Sequence, residues 1–411
     1  MARLSPLSPK QPAYLERIVS FASLVRNNML TLFANVQPQF NPYIALFQKT
    51  VQTVWAEPVT IKPRFTLGWV LRQRRPGQVA HLHWLENQIS PPKWFGPEAT
   101  GWRKLIYHLG NNRVVRPVRA AWAVLLFGLA LWFTRPLGIR VVYTVHNLIA
   151  HRHLNGYYAW LEARALGWLF QRADAIHVHS HETARAVQTL FGRTHRVFVV
   201  PHGNYLGWYP NTLSRANARQ QLGLPENAFV YLFFGQIAPY KGLEDLLAAF
   251  AKLNDETAWL VIVGKVVQAD YGAKLAALAQ HPHIIYQPGF VPDEAVQLYF
   301  NAADVEVLPY QQITTSGSIL LAYSFGCPVI VPARGALSEL VTPATGILYS
   351  PGRPNALLNA LRQAHQTVWS STALETHVRQ YDWARLAPAL YQLYQPAAPA
   401  QTPLVSAETH L

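Results

Sequence analysis

The stretch Tyr231-Leu-Phe-Phe-Gly-Gln-Ile-Ala-Pro-Tyr-Lys-Gly-Leu-Glu-Asp-Leu-Leu-Ala-Ala-Phe250 joins an apolar run, a glycine turn, a lysine and an amphipathic segment. Phe229 to Phe234 is continuously apolar, the pattern of a strand buried on both faces. Leu243, Leu246, Leu247, Phe250 and Leu253 recur at spacings of three and four, which predicts one buried helix face. Gly235, Gln236, Lys241 and Gly242 lie between the two, where a strand feeds a helix. Free backbone N–H groups at such a helix start, with a lysine beside them, suit a phosphate.

Working outward, strands alternate with helical patterns almost throughout, which argues for parallel sheets built from βαβ units. In the first half, Leu30 to Val36, Gln78 to Trp84, Arg140 to Val145 and Ala175 to Ser180 read as strands, and Asn41-Pro-Tyr43 begins a helix. In the second half, Phe198 to Val200, Phe229 to Phe234, Trp259 to Val263, Ile284 to Tyr286, Val305 to Leu308 and Pro328 to Val331 form another set. The domain change falls near 200 to 210. The expected units are an extra N-terminal segment (1–29), a first domain (30–205), a second domain (206–378), a return helix (379–395) and a proline-alanine tail (396–411) whose composition cannot bury enough to fold.

A second signal is Ala303-Asp-Val-Glu-Val-Leu-Pro-Tyr310, followed by Thr314-Thr-Ser-Gly-Ser318 and Gly326-Cys-Pro-Val329. Thr315, Ser316, Gly317 and Ser318 offer hydroxyls and approachable N–H groups at a helix start, as a diphosphate requires; an ordinary N-cap is the plainer reading. Together with the Tyr231–Phe250 stretch, these segments resemble the nucleotide-sugar-binding domain of family 4-like GT-B glycosyltransferases. Bacterial exopolysaccharide enzymes, including β-mannosyltransferase relatives, are especially similar. The resemblance implies an α/β, GT-B fold: two Rossmann-like domains with parallel sheets facing a cleft and a C-terminal crossover helix near Tyr381 to Tyr391. It also implies that Arg334, Glu339, His202 and Gly203 stand near the donor, the last two in the hinge segment Val200-Pro-His-Gly-Asn204; Glu339 reads equally as a cap of the following segment, and His202 as a turn residue. One departure matters. The two glutamates that family 4 members place eight positions apart fall here at Ile313 and Leu321, so that family's retaining stereochemistry does not carry over.

In the first half, Thr144-Val-His-Asn147 ends an apolar strand, where open α/β sheets bind ligands. His146 is the candidate base for an acceptor hydroxyl in an inverting enzyme, because histidine titrates near neutral pH; in a retaining enzyme it would position the sugar, and a hydrogen-bonded strand-end histidine is the plainer reading. Glu86 is the second candidate. His83 and Trp84, in His81-Leu-His-Trp-Leu-Glu86, and Asn147 are candidate acceptor contacts. His177 and His179 share one strand face and raise a metal reading, but no cysteine or acidic pair completes a ligand set. Asp304 and Glu306 flank a strand, so no required metal or other cofactor is expected. Lys241, Arg334 and helix starts would meet the leaving diphosphate instead.

With 35 basic against 21 acidic residues and a formal charge of +14, the chain calls for an anionic partner. The expected partners are a UDP- or GDP-sugar, a polyprenyl-diphosphate-linked acceptor and an anionic membrane surface. Nucleic acid is not expected, because the basic residues are scattered. The single cysteine, Cys327, excludes an internal disulfide and fits a reducing compartment. A polar start without an export pattern points to a cytoplasmic, peripheral protein at the inner membrane face. The apolar run Ala120 to Phe133, about 21 Å long as a helix, is short for a bilayer and reads as a buried helix or as a shallow dip into one leaflet. Two rivals keep or drop catalysis: a GT-B epimerase or phosphorylase, and a non-catalytic sugar-nucleotide-binding subunit.

Overall fold

The computed structural model describes residues 29–35, 42–73, 77–91, 98, 100–148 and 156–396. The expected N-terminal segment lies outside these residues except for Met29, and the expected tail lies outside them except for Pro396.

Among the described residues, twelve strands form two six-stranded sheets, parallel throughout. The first sheet holds β1 (Leu30–Phe33), β2 (Val59–Lys62), β3 (Val79–His83), β4 (Arg140–Thr144), β5 (Ala175–Val178) and β6 (Val197–Val199) in the order β2-β1-β3-β4-β5-β6. The second holds β7 (Phe229–Phe234), β8 (Ala258–Gly264), β9 (Ile284–Pro288), β10 (Val305–Val307), β11 (Val329–Pro332) and β12 (Gly346–Tyr349) in the order β12-β11-β10-β7-β8-β9. Helices cover both faces, which is why the central strands are apolar without alternation. The sequence around Phe198 belongs to the first sheet, where Ile176 pairs with Val197, and not to the second-half set. The edge strands β2 and β12 were not expected. Each is four residues long and half-exposed, too short for a periodicity to register.

In each sheet the strand order reverses once, between β1 and β3 in the first and between β7 and β10 in the second. Ligands of open α/β sheets settle at such switch points, beyond the carboxyl ends of the strands. Trp84 follows β3, and the segments 235–242 and 309–318 follow β7 and β10, so both switch points are lined by residues singled out from sequence.

The chain returns to the first domain through the helix Trp383–Leu393. Its Leu386, Leu390 and Leu393, followed by Tyr394, pack with Tyr43, Phe47 and Val51 of the helix Pro42–Val54. Gly203 makes the hinge possible: a Cβ there would lie 2.2 Å from the Trp383 ring. Asn204 completes it, donating from Nδ2 to Val378 O at 2.9 Å and to Asp382 Oδ1 at 2.6 Å, while Trp383 Nε1 donates to Asn204 O at 2.8 Å.

The apolar run of the first half extends beyond the expected Ala120–Phe133. The helix is Val115–Thr134, because Pro117 is tolerated in its first turn. Its 20 residues span about 30 Å, so by length and composition alone it could cross a bilayer. Ala120, Val124, Phe127 and Leu131 are nevertheless committed to the core of the first domain. The opposite side, with Trp122 and Trp132 at 59% and 52% exposure, is open.

Candidate active site

Six histidines, His81, His83, His146, His177, His179 and His202, converge behind the cleft edge of the first sheet, all at or below 8% exposure. Strand register explains the convergence: His83 pairs with Thr144, and Thr144 with His177, so side chains two apart on adjacent strands stack on one face. The Val200 carbonyl can only accept, which fixes the direction of one hydrogen-bond chain. His177 Nε2–H donates to Val200 O at 2.9 Å, and Thr144 O–H donates to His177 Nδ1 at 2.9 Å. His81 Nε2–H donates to Thr144 Oγ1 at 2.7 Å, and Tyr394 O–H donates to His81 Nδ1 at 2.8 Å. His179 Nδ1–H also donates to Val200 O, at 3.1 Å. The His177/His179 pair is thereby bonded to protein. Among the described residues, no three His, Cys, Asp or Glu side chains converge to hold a metal ion.

His146 lies at the front of this cluster. Its ring stacks on Trp84, with centroids 4.0 Å apart and planes within 8°, and Trp84 adopts a left-handed backbone to do so (φ 48°). His146 Nε2 is 3.0 Å from His83 Nδ1. When His146 donates across that bond, its Nδ1 lone pair is left to receive a proton. Burial, then the neighbouring histidines, hold His146 well below the usual imidazole range, so it is neutral near pH 7. His83, expected to touch an acceptor, is fully buried behind His146, with its Nε2 unpartnered. It orients His146 instead. Glu86 turns away into a cavity of about 160 Å³, lined also by Arg116, Ala120, Val124, Tyr158 and Glu162. His146 does not line that cavity. Asn147, half-buried, follows directly on His146.

On the donor side, Lys241 ends a short turn (Pro239–Lys241) ahead of the helix Leu243–Ala251. Gly242 is required there, with φ 71° and a would-be Cβ 2.1 Å from Pro309 O, which seats the lysine turn against the end of β10. Lys241 Nζ lies 4.4 Å from the centre of the Tyr310 ring, and Tyr310 Oη bonds Ser316 Oγ at 3.0 Å. The helix Gly317–Ser324 therefore starts without a side-chain cap, leaving its first N–H groups free for an anion. At that start, a Cβ on Gly317 would sit 2.9 Å from Tyr205 Oη and 3.3 Å from His202 Nε2, so the hinge histidine meets the start of this helix. Lys241, Ser316, Gly317 and His202 are brought together. Tyr310, which links them, was missed, although the sequence places it between the two predicted segments.

The remaining predicted donor residues differ in their surroundings. Thr315 and Ser318 are half-buried in the loop and first turn, and Gln236 is exposed past the Gly235 turn. Arg334 donates to Gln311 O and lines a larger cavity of about 340 Å³ with Asp245, Lys252 and Arg353. Lys241 and residues 315–318 do not line it. Glu339 caps a helix of the other domain: His181 N–H and Glu182 N–H donate to its carboxylate at 2.8 and 2.7 Å. Asp304 is structural, pairing with Arg219 at 2.8 Å and with Arg215, and accepting from Val230 N–H. Leu321, at one of the family's glutamate positions, is buried in the second core.

Two six-stranded parallel sheets joined by a hinge, with an uncapped helix start on one and a buried histidine on the other, have the layout of a GT-B enzyme. Residues 214–368 match the model for glycosyl transferases group 1, and residues 90–204 match that for glycosyltransferase family 4. The chain is 28% identical over 371 residues to the GDP-mannose:glycolipid 4-β-D-mannosyltransferase of Xanthomonas campestris pv. campestris, covering 88% of this chain and 91% of that protein. Among solved structures, it resembles sucrose-phosphate synthase from Thermosynechococcus elongatus (TM-score 0.63, 18% identity, 90% of this chain and 98% of that one). It also resembles the Anabaena protein HepE in complex with UDP (TM-score 0.61, 16% identity, 89% and 99%). The chain is a family 4-like GT-B glycosyltransferase, a hexosyltransferase.

Proposed function

We propose that the protein transfers a hexose from a nucleoside-diphosphate sugar, with GDP-mannose the first donor to test, to a glycolipid acceptor in cell-surface or exopolysaccharide synthesis. The observation that carries this reading is the uncapped helix start at Gly317 beside Lys241 and His202. The long match to a GDP-mannose:glycolipid enzyme favours a GDP-sugar over a UDP-sugar. In this reading Lys241 and the helix N–H groups meet the diphosphate as it leaves, with no metal required, and His146 takes the proton of the attacking acceptor hydroxyl. The negative diphosphate would raise the basicity of His146 when it is needed.

A polyprenyl-diphosphate-linked acceptor and peripheral attachment to an anionic membrane are supported by the helices Gly101–Asn111 and Val115–Thr134. They expose Trp102, Leu105, Leu109, Val118, Trp122, Leu125 and Trp132. No Asp or Glu occurs between Glu98 and Glu162, while Arg103, Lys104, Arg113, Arg116 and Arg119 fall in that interval. An apolar face bordered by cations alone is suited to a lipid surface. The test is incubation with labelled GDP-mannose or UDP-glucose and a bacterial glycolipid extract. Label passing into the lipid fraction is expected; conversion of donor without acceptor would point to an epimerase, and binding without turnover to a non-catalytic subunit.

A further inference from the structure

Glu306 occupies the middle of β10, paired with Leu232 of β7 on one side and Val329 of β11 on the other. It is 0% exposed, and neither carboxylate oxygen has a hydrogen-bond partner. A carboxylate in that position cannot be retained for packing, because an apolar residue of similar size would fill the strand without the cost of desolvating two oxygens. Asp304, two residues earlier, shows what a structural acid looks like here: it is paired with arginines and a backbone N–H.

The groups that Glu306 feels are few. Lys241, on the turn before the helix Leu243–Ala251 with its ammonium 4.4 Å from the centre of the Tyr310 ring, is the one group that favours its charged form. Tyr310 after β10, Tyr323 on the helix Gly317–Ser324, and Cys327 before β11 lie within its field and are neutral near pH 7, each pushed upward by burial. Asp304 also acts on Cys327, but its charge is held by Arg215 and Arg219. Burial drives Glu306 well above the usual carboxylate range, opposed by Lys241 alone. Burial likewise lowers Lys241, opposed by Tyr240 and by Glu306. Each group therefore favours the charged form of the other, against the burial that opposes both. No carboxylate among the described residues lies within 4 Å of the Lys241 ammonium, so that ammonium is not locked in an ion pair.

We propose that Glu306 is a positioning residue for the donor: it balances the Lys241 ammonium while the site is empty and takes up a proton from solvent when the donor diphosphate engages that ammonium. The logic is charge counting. A diphosphate at the Gly317 helix start draws the Lys241 charge to itself and adds negative charge beside Glu306, and both changes favour the neutral acid. Proton uptake then accompanies binding, and release of the nucleoside diphosphate returns the proton. This inference rests on the donor site proposed above.

The experiment is calorimetric titration of GDP and UDP into the full-length protein, in buffers of different ionisation enthalpy, for wild type and Glu306→Gln. The phosphate groups of the nucleotide contribute the same proton exchange in both proteins, so the difference isolates Glu306. Wild type is expected to take up more protons per nucleotide than the variant, with affinity rising more steeply as pH falls from 8 to 6, up to the limit of about tenfold per pH unit for one proton. Glu306→Leu, which also removes the charge, is expected to match Glu306→Gln and serves if the amide variant folds poorly. Equal proton counts in wild type and variants, with nucleotide bound, would overturn this inference alone. No binding of either nucleotide by wild type would overturn the donor site and this inference with it.

Discussion

Glu339 and Glu182 join the two domains: the Glu182 backbone N–H donates to the Glu339 carboxylate at 2.7 Å, and the His181 N–H does so at 2.8 Å. The Ser180 side chain takes the next N–H, that of Thr183, at 3.0 Å. The helix His181–Phe191 thus starts with its orphan donors shared between its own domain and the other one. An anion at a helix N-terminus is stabilising, by about 1 kcal/mol for a partly exposed group, enough to bias domain closure without locking it. Replacing Glu339 with Ala is expected to enlarge the radius of gyration in solution scattering and to raise the donor KM severalfold. A scattering curve superimposable on that of wild type would refute the latch.

His146 is expected to carry the proton. His146→Ala should lower kcat by about 10²- to 10⁴-fold with nucleotide affinity unchanged. Because the free imidazole is held below its ordinary value of 6.5, the acid limb of kcat/KM is predicted below pH 6.5. His83→Phe keeps the packing and removes the orienting bond, so it should lower kcat by less and shift that limb. A full-rate His146→Ala enzyme would exclude the residue as base.

Acid should unfold the protein early. His177 and His202 are held down at about 4 by burial, against 6.5 in an unfolded chain. Their folded values are depressed, so the unfolded state binds protons first: stability is full above about pH 6.5 and is lost as pH falls towards 4. The bound for each is about 3 kcal/mol. Denaturant midpoints at pH 7.5 and 5 check this, and equal midpoints would contradict it.

Gly203→Ala is expected to cost about 1–3 kcal/mol, because the Trp383 ring must shift to admit a methyl group. The thermal midpoint reads the loss. Exposed aromatics give the contrasting case: Trp122→Ser with Trp132→Ser should leave the midpoint nearly unchanged and reduce sedimentation with phosphatidylglycerol vesicles. Unaltered sedimentation would remove that face from the membrane account.

Much of the fold was legible because central strands such as Phe229–Phe234 are continuously apolar and the helix after Lys241 keeps a regular stripe. The four-residue edge strands Val59–Lys62 and Gly346–Tyr349 carry no such period, and Val197–Val199 could be assigned to a sheet only through its pairing with β5. Within the candidate site, the local chain was enough to single out Lys241 and Ser316, which the structure brings to either side of Tyr310. Roles set by distant partners were not. His83 reads as a strand-end acceptor contact until its register beside Thr144 buries it, and Glu339 reads as a nucleotide contact or a local cap, whereas the helix it caps belongs to the other domain. Glu306 looks like half of an Asp-x-Glu pair until burial separates it from the salt-bridged Asp304.

Donor binding rests on a diphosphate site at Lys241 and the Gly317 helix start. Thermal unfolding of wild type and Lys241→Ala against GDP, UDP, ADP and their common sugars tests it most directly, since a ligand held only by the folded state raises its midpoint. One nucleotide is predicted to shift wild type selectively. Lys241→Ala should fold normally and bind that nucleotide about 10- to 100-fold more weakly, in line with the loss of one hydrogen bond to a charged group. No shift with any nucleotide, or an equal shift in the variant, would contradict the site.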